Sequence, residues 1–257
     1  MCLNFGGSAL YRAMAVVLLV GLCSLLVRAD VVVPVAGSVN LAGGTLDLAC
    51  SDVIVGGTLD LAGGRLNNVR NVTVQTGGTI ALGTGGLITL AGDWSNAGTL
   101  NAGTGSVNFV DAPTCAASSI ISGSTIFYGL SVVSASGKRY RFASGSTQSV
   151  QYALVMLGTP SQPLQIESTT VGQYAYINLV GPTQTMDSLA VRDMNATGQW
   201  LALGLTNLAA NGNTVRWFDF PVIPTLSAFS LVLLAFALAW CVFCSRSRVS
   251  RAVVEGK

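Results

Sequence analysis

The residues able to do chemistry are few and scattered. Asp187, Arg192 and Asp193 lie close together, and a carboxylate pair beside an arginine would suit acid/base work on an acidic polysaccharide. In an extended chain Asp187, Leu189, Val191 and Asp193 share one face, and that face reads better as core whose two ends leave it. Lys138-Arg139-Tyr140-Arg141-Phe142 alternates so that Arg139 and Arg141 meet water while Tyr140 and Phe142 turn inward. The outward pair could touch an anionic glycan or lipopolysaccharide, with plain solvation as the simpler reading. Trp94, Trp200 and Trp217 offer sugar stacking, with plugs at turns or coil ends as the default.

Other chemistries are excluded by composition. The chain has no histidine, which removes Ser-His-Asp and Cys-His catalysis and every histidine metal set. Cys50 and Cys115 alone cannot hold a structural zinc. The glycines Gly83, Gly85 and Gly86 lack a following Gly-Lys-Ser/Thr, so they read as turns and not as a phosphate cradle. Asp47 and Asp60 occupy equivalent repeat positions and could line up on adjacent coils, but without the nonapeptide of calcium solenoids they read as solvated carboxylates. Lys138 is the only lysine outside the two termini, and most acids sit in turn contexts where pKa values stay ordinary. The expectation is no catalytic residue, no metal, no cofactor and no enzyme.

These groups must be held by a body lying between two apolar ends. Residues 1–29 carry Arg12, an apolar run Ala13–Val27, and Val27-Arg28-Ala29, which suits signal-peptidase cleavage after Ala29. At the other end an uncharged run from Leu226 to Cys244 precedes Arg246, Arg248 and Arg251. As a helix that run spans roughly 28 Å, enough to cross a bilayer, and the basic tail 245–257 marks its far side as cytoplasmic. Between them the body holds seven basic residues against ten acids, so it is about −3 while the whole chain is +2. No nucleic-acid surface is indicated. Cys2 and Cys23 fall in the signal and Cys241 and Cys244 in the anchor. Only Cys50 and Cys115 enter the body, where export permits a bridge; paired or free thiols both stand.

Ile223-Pro224-Thr225-Leu226-Ser227, followed by the apolar run and the arginine cluster, resembles the IPTL-CTERM sorting domain of Gram-negative bacteria. The family usually continues with Glu-Trp-Gly, where this chain has Ala228-Phe229-Ser230. The resemblance implies an exosortase-like membrane protease as partner, after export by the Sec machinery and signal peptidase. It implies a membrane-anchored precursor with its body outside the cytoplasm.

The body repeats itself. Gly43-Gly44-Thr45-Leu46-Asp47-Leu48-Ala49 recurs identically at Gly56–Ala62, with weaker copies at Gly77–Gly83, Gly86–Ala91 and Ala97–Ala102. Each is a glycine turn followed by a short apolar–polar alternation, hence a short strand with one buried face. Strands so short must stack on their neighbours. The expected fold is all-β, a right-handed parallel β-helix of roughly 20 residues a coil, with Leu46, Leu48, Leu59, Leu61, Ile80 and Leu82 inside. A β-sandwich is the alternative, and the unequal spacing of the copies counts against a perfect solenoid. Residues 30–118 form the glycine-rich repeat region. In 119–219 the strands lengthen, at Phe127–Val133, Arg139–Phe142, Ser149–Leu157, Leu164–Glu167, Tyr174–Leu179 and Leu189–Val191, continuing the solenoid or packing on its end. Residues 220–257 form the sorting signal. A cell-surface β-repeat protein with a structural or adhesive role is expected. The alternatives are a module binding surface polysaccharide and a carbohydrate-active β-helix enzyme.

Overall fold

In the computed structural model, residues 30–210 and 212–219 are described. The readings of the signal, Ala29, the sorting motif 223–227 and the arginines of the tail lie outside them. The described body is a β-solenoid of about eight turns, with no helix among the described residues. Every ladder between its strands is parallel, which removes the sandwich, an antiparallel architecture.

Each turn crosses three faces. Face A climbs from Val31–Val33 through 53–55, 72–74, Trp94–Asn96, Ser118–Ser122, Arg139–Phe142 and Leu164–Ser168 to Leu189–Arg192. Face B stacks Ser38–Asn40, Thr58–Asp60, Thr79–Ala81 and Thr99–Asn101. It resumes at 125–127, followed by 148–150, Ala175–Leu179, Met194–Ala196 and Thr214–Val215. Face C carries 45–47, 65–67, Leu87–Leu90, Ser106–Phe109, 129–133, 153–157 and Thr183–Asp187. The strand Ser118–Ser122 pairs with rungs on both sides, so the ladders run unbroken across residue 118.

The interior follows from period two and stacking. On face B, Leu59, Ile80 and Leu100 form one buried row, with Val39 in register before them but exposed in the first rung. On face C the row is Leu46, Leu66, Ile88, Val107, Leu130 and Leu154. Each fully buried aliphatic side chain is worth about 1.5–3 kcal/mol. Five of the six expected core residues are buried; Leu46, in the first rung of its face, is only partly covered.

The unequal repeat spacing has a geometric cause. Paired positions advance by a full coil, as from Leu59 to Ile80, whereas the two identical heptapeptides fall on different corners of one winding. Both make the same kind of corner. Asp60 Oδ1 accepts from the Ala62 amide at 2.9 Å, and Asp47 Oδ1 accepts from the Ala49 amide at 3.0 Å. Ala62 and Ala49 then take left-handed φ values of 49° and 45°, which the Asx hydrogen bond helps to hold. Asp47 and Asp60 therefore do not line up: Asp60 pairs with Asn40 and Ala81 on face B, Asp47 with Asn67 on face C. A second kind of corner needs glycine. A Cβ on Gly57 would stand 2.1 Å from the Gly37 carbonyl oxygen, and one on Gly78 would stand 2.2 Å from that of Val55, because coils are stacked about 4.8 Å apart.

Cys50 and Cys115 are bonded, with Cα atoms 5.6 Å apart. Cys50 occupies a left-handed position (φ 67°) in the 47–50 corner, where the matching corner has Gly63 (φ 85°). Cys115 comes from the excursion between Ser106–Phe109 and Ser118–Ser122. The bond ties the first coil to the fourth along one corner.

Candidate functional site

The carboxylates are mostly employed by the fold. Along face A, Asp30, Asp52, Asn71 and Asp93 form one outer row. Each side chain accepts from an amide one coil on: Asp30 from Asp52, Asp52 from Asn71, Asn71 from Asp93, Asp93 from Ile120. Arg70 grips Asp52 through two bonds of 2.8 and 2.7 Å and holds its carboxyl below the usual range, against the opposing effect of burial. Burial pushes the Asp111 carboxyl up, but bonds from Ser134, Ala135 and Ser136 outweigh it and leave it lowered.

Farther along the same face the row becomes basic. Strand pairing puts Arg141, Glu167 and Arg192 on successive rungs, with Arg139, Gln165 and Ala190 in the neighbouring row. Arg192 Nη2 lies 2.5 Å from Glu167 Oε2, and Arg139 Nε lies 3.5 Å from Glu167 Oε1 and donates to Gln165 Oε1 at 3.2 Å. The buried Nε of Arg141 has no partner among the described residues. Two guanidinium groups thus meet one carboxylate, leaving a local excess of positive charge, and Arg141 stands on the rung beside Glu167. Arg139, Gln165, Glu167 and Arg192 line a groove of about 330 Å³, with Pro163 and Leu208 among its apolar walls. The alternation of 138–142 places Tyr140 and Phe142 inside, as their spacing predicted.

No family model, curated protein or solved structure matches the chain. The groove's own geometry is therefore what speaks for its use. Guanidinium forks match carboxylate, sulfate and phosphate oxygens, and an open groove along a ladder admits an extended chain.

The remaining sequence candidates go elsewhere. Asp187 and Asp193 do not share a strand: left-handed corners at Ser188 (φ 52°) and Asp193 (φ 54°) bound Leu189–Arg192. Asp187 is exposed, while Asp193 is buried and accepts from Asn213 Nδ2 at 3.0 Å. Trp94 is buried and donates to Thr125 Oγ1 at 3.1 Å; Trp217 lies in the core near the last coil; Trp200 is half-buried beneath the Arg216 guanidinium.

Lys138 departs most from expectation. It is 5% exposed; its ammonium donates to the Ala91 carbonyl and sits 5.0 Å from the Tyr140 ring centroid. Burial pulls its pKa down to about 8, although Asp111 and Asp93 oppose the shift. The same burial, with Asp111, pushes the Tyr140 phenol upward. Alternation alone marks Lys138 as inward-facing, but its acceptor lies 47 positions away and no local signal points to it.

Proposed function

We propose that the chain is an exported, membrane-sorted cell-surface β-repeat protein with a structural or adhesive role in a Gram-negative envelope, whose arginine groove holds an acidic surface polysaccharide. The pairing of Arg139 and Arg192 with Glu167 in the groove, with Arg141 on the adjoining rung, carries the ligand reading. It is a local cationic excess on a body whose charges sum to about −3. Export is supported by residues 1–29, with cleavage after Ala29, and by the Cys50–Cys115 bond, which suits an oxidising compartment. Sorting is supported by Ile223–Ser227 and by Arg246, Arg248 and Arg251, with an exosortase-like protease as the partner that removes the tail. Right-handed winding is part of this reading, given the strong preference of parallel crossovers for that hand. The reading is non-catalytic: Asp187 and Asp193, weighed as an acid/base pair and set aside, are separated by corners, and the lowered-pKa lysine is sealed against Ala91 and Tyr140.

The test is retention on immobilised alginate, a polyuronate, at rising salt. Wild-type protein should be retained and then released by salt. Arg139→Ala/Arg192→Ala should lose retention while melting normally. Retention unchanged in the double variant would remove the groove from the account. Release of unsaturated or reducing ends, abolished by Asp187→Asn or Asp193→Asn, would favour the enzyme instead.

A further inference from the structure

A second feature lies away from the groove, on the corner between faces B and C. Tyr128 and Tyr152 stack there with ring centroids 5.0 Å apart and planes within 8°. The register explains the pair. Phe127 pairs with Val150 and Gly129 with Ala153, so one residue, Tyr128, faces two, Gln151 and Tyr152. That bulge turns Tyr152 outward over Tyr128, as bulges re-aim side chains. Coil spacing then sets the stacking distance. Tyr128 covers one face of the Tyr152 ring, yet Tyr152 remains 47% exposed, so its exposure belongs to the opposite face and rim. On the next coil Gly181 lies against the Tyr152 backbone, where a Cβ would stand 2.2 Å from the Tyr152 carbonyl oxygen. That rung presents no ring to continue the stack. Ile126, two residues before Tyr128 on the same outward side, and Val180 are also exposed.

We propose that the open face of Tyr152, backed by Tyr128, is a stacking platform for a pyranose ring of a neutral glycan with all-equatorial substituents. In such a sugar the axial C–H bonds form two flat apolar faces, and these seek the negative face of an aromatic ring. Tyr128 holds Tyr152 in place, so little side-chain freedom is lost on binding. No charged residue belongs to the stack, so an uncharged ligand fits it better than the acidic chain proposed for the groove.

The probe is cellohexaose, titrated into the full-length chain and followed by saturation-transfer NMR and isothermal calorimetry. Binding should be insensitive to salt, weakened about tenfold in Tyr152→Ala, and kept in Tyr152→Trp. Arg139→Ala/Arg192→Ala should leave it unchanged, which separates this site from the groove. Absence of binding by wild type, or undiminished binding by a folded Tyr152→Ala variant, would overturn the proposal. So would self-association by light scattering that Tyr152→Ala abolishes, since the platform would then serve a second copy of the chain.

Discussion

Lys138 gives the body a pH dependence that few solenoid residues could. Its ammonium is held among apolar and backbone groups with a pKa near 8, against 10.5 when free. For a base with a depressed folded-state pKa, the unfolded chain binds more protons between those values, so stability rises with pH there. From pH 7 to 9.5 the rise is about 2 kcal/mol, from 1.36 kcal/mol per pKa unit. For a body of this size that is about 4–8 °C in Tm. Above about pH 10 the trend reverses. Tyr140 keeps its proton in the folded state while the unfolded phenol loses it, so the unfolded state then binds fewer protons. Lys138→Met should remove the rise below pH 10. It should also be tolerated, because the Ala91 carbonyl keeps a hydrogen bond from Ser119 Oγ at 3.0 Å. The assay is urea unfolding of the Asp30–Asp219 segment at half-unit pH intervals, for wild type and Lys138→Met. A flat wild-type curve from pH 7 to 9.5, or the same rise in both proteins, would refute the reasoning.

Leu59→Asp should unfold the repeat region in thermal melts. Leu59 is fully enclosed between Val39 and Ile80, and an unpaired buried charge costs several kcal/mol. Thr58→Ser, exposed at the start of the same strand, should melt within a degree or two of wild type, about the change a surface substitution makes. Reducing the Cys50–Cys115 bond, which closes a separation of 65 residues, should lower stability by about 4 kcal/mol in the chain-entropy model, read as a shifted urea midpoint. In a host with the matching protease, intact mass of the mature protein should show cleavage near Pro224–Ser227 and no Leu226–Lys257 segment; a full tail would leave a plain anchor.

Period-two alternation and glycine turns made the fold class legible, because parallel stacking demands an apolar residue at each inward position and nothing else local. Leu59, Leu61, Ile80 and Leu82 needed no other information. The coil length was harder to read. The heptapeptides at 43–49 and 56–62 are identical, yet they sit on different corners, since an Asp-Leu-Ala turn serves any corner of the winding. Local sequence encodes the bend and not the face it joins. Later coils lengthen, as from Val150 to Leu179 on face B, and no repeat remains to count. The groove was half legible. Arg139 and Arg141 were read as outward, and Arg192 was noted beside the wrong partners. Glu167, which draws Arg139 and Arg192 together, lies 25 residues from Arg192, a full coil that only register can supply. The Tyr128–Tyr152 stack depends on a bulge, which shifts parity by one and so hides from alternation.

The scarcity of charge has a structural reading that bears on function. A parallel solenoid leaves amides at its corners unpaired by the ladders, and a buried or half-buried amide must find an acceptor. Here Asp30, Asp52, Asp93 and Asp111 meet that need along the winding, and Asp47, Asp60 and Asn40 meet it within the corners. A carboxylate fixed by amides cannot move without opening a corner, and Asp52 and Asp111 are also held below the usual carboxylate range. Groups so fixed lack the freedom to meet a substrate that proton transfer needs. Arg139 and Arg192 on face A take no part in this task, and at the B–C corner Tyr152 remains 47% exposed. Both features lie on a ladder of fixed spacing, which supports the proposed binding of an extended, repeating partner by contact along the winding.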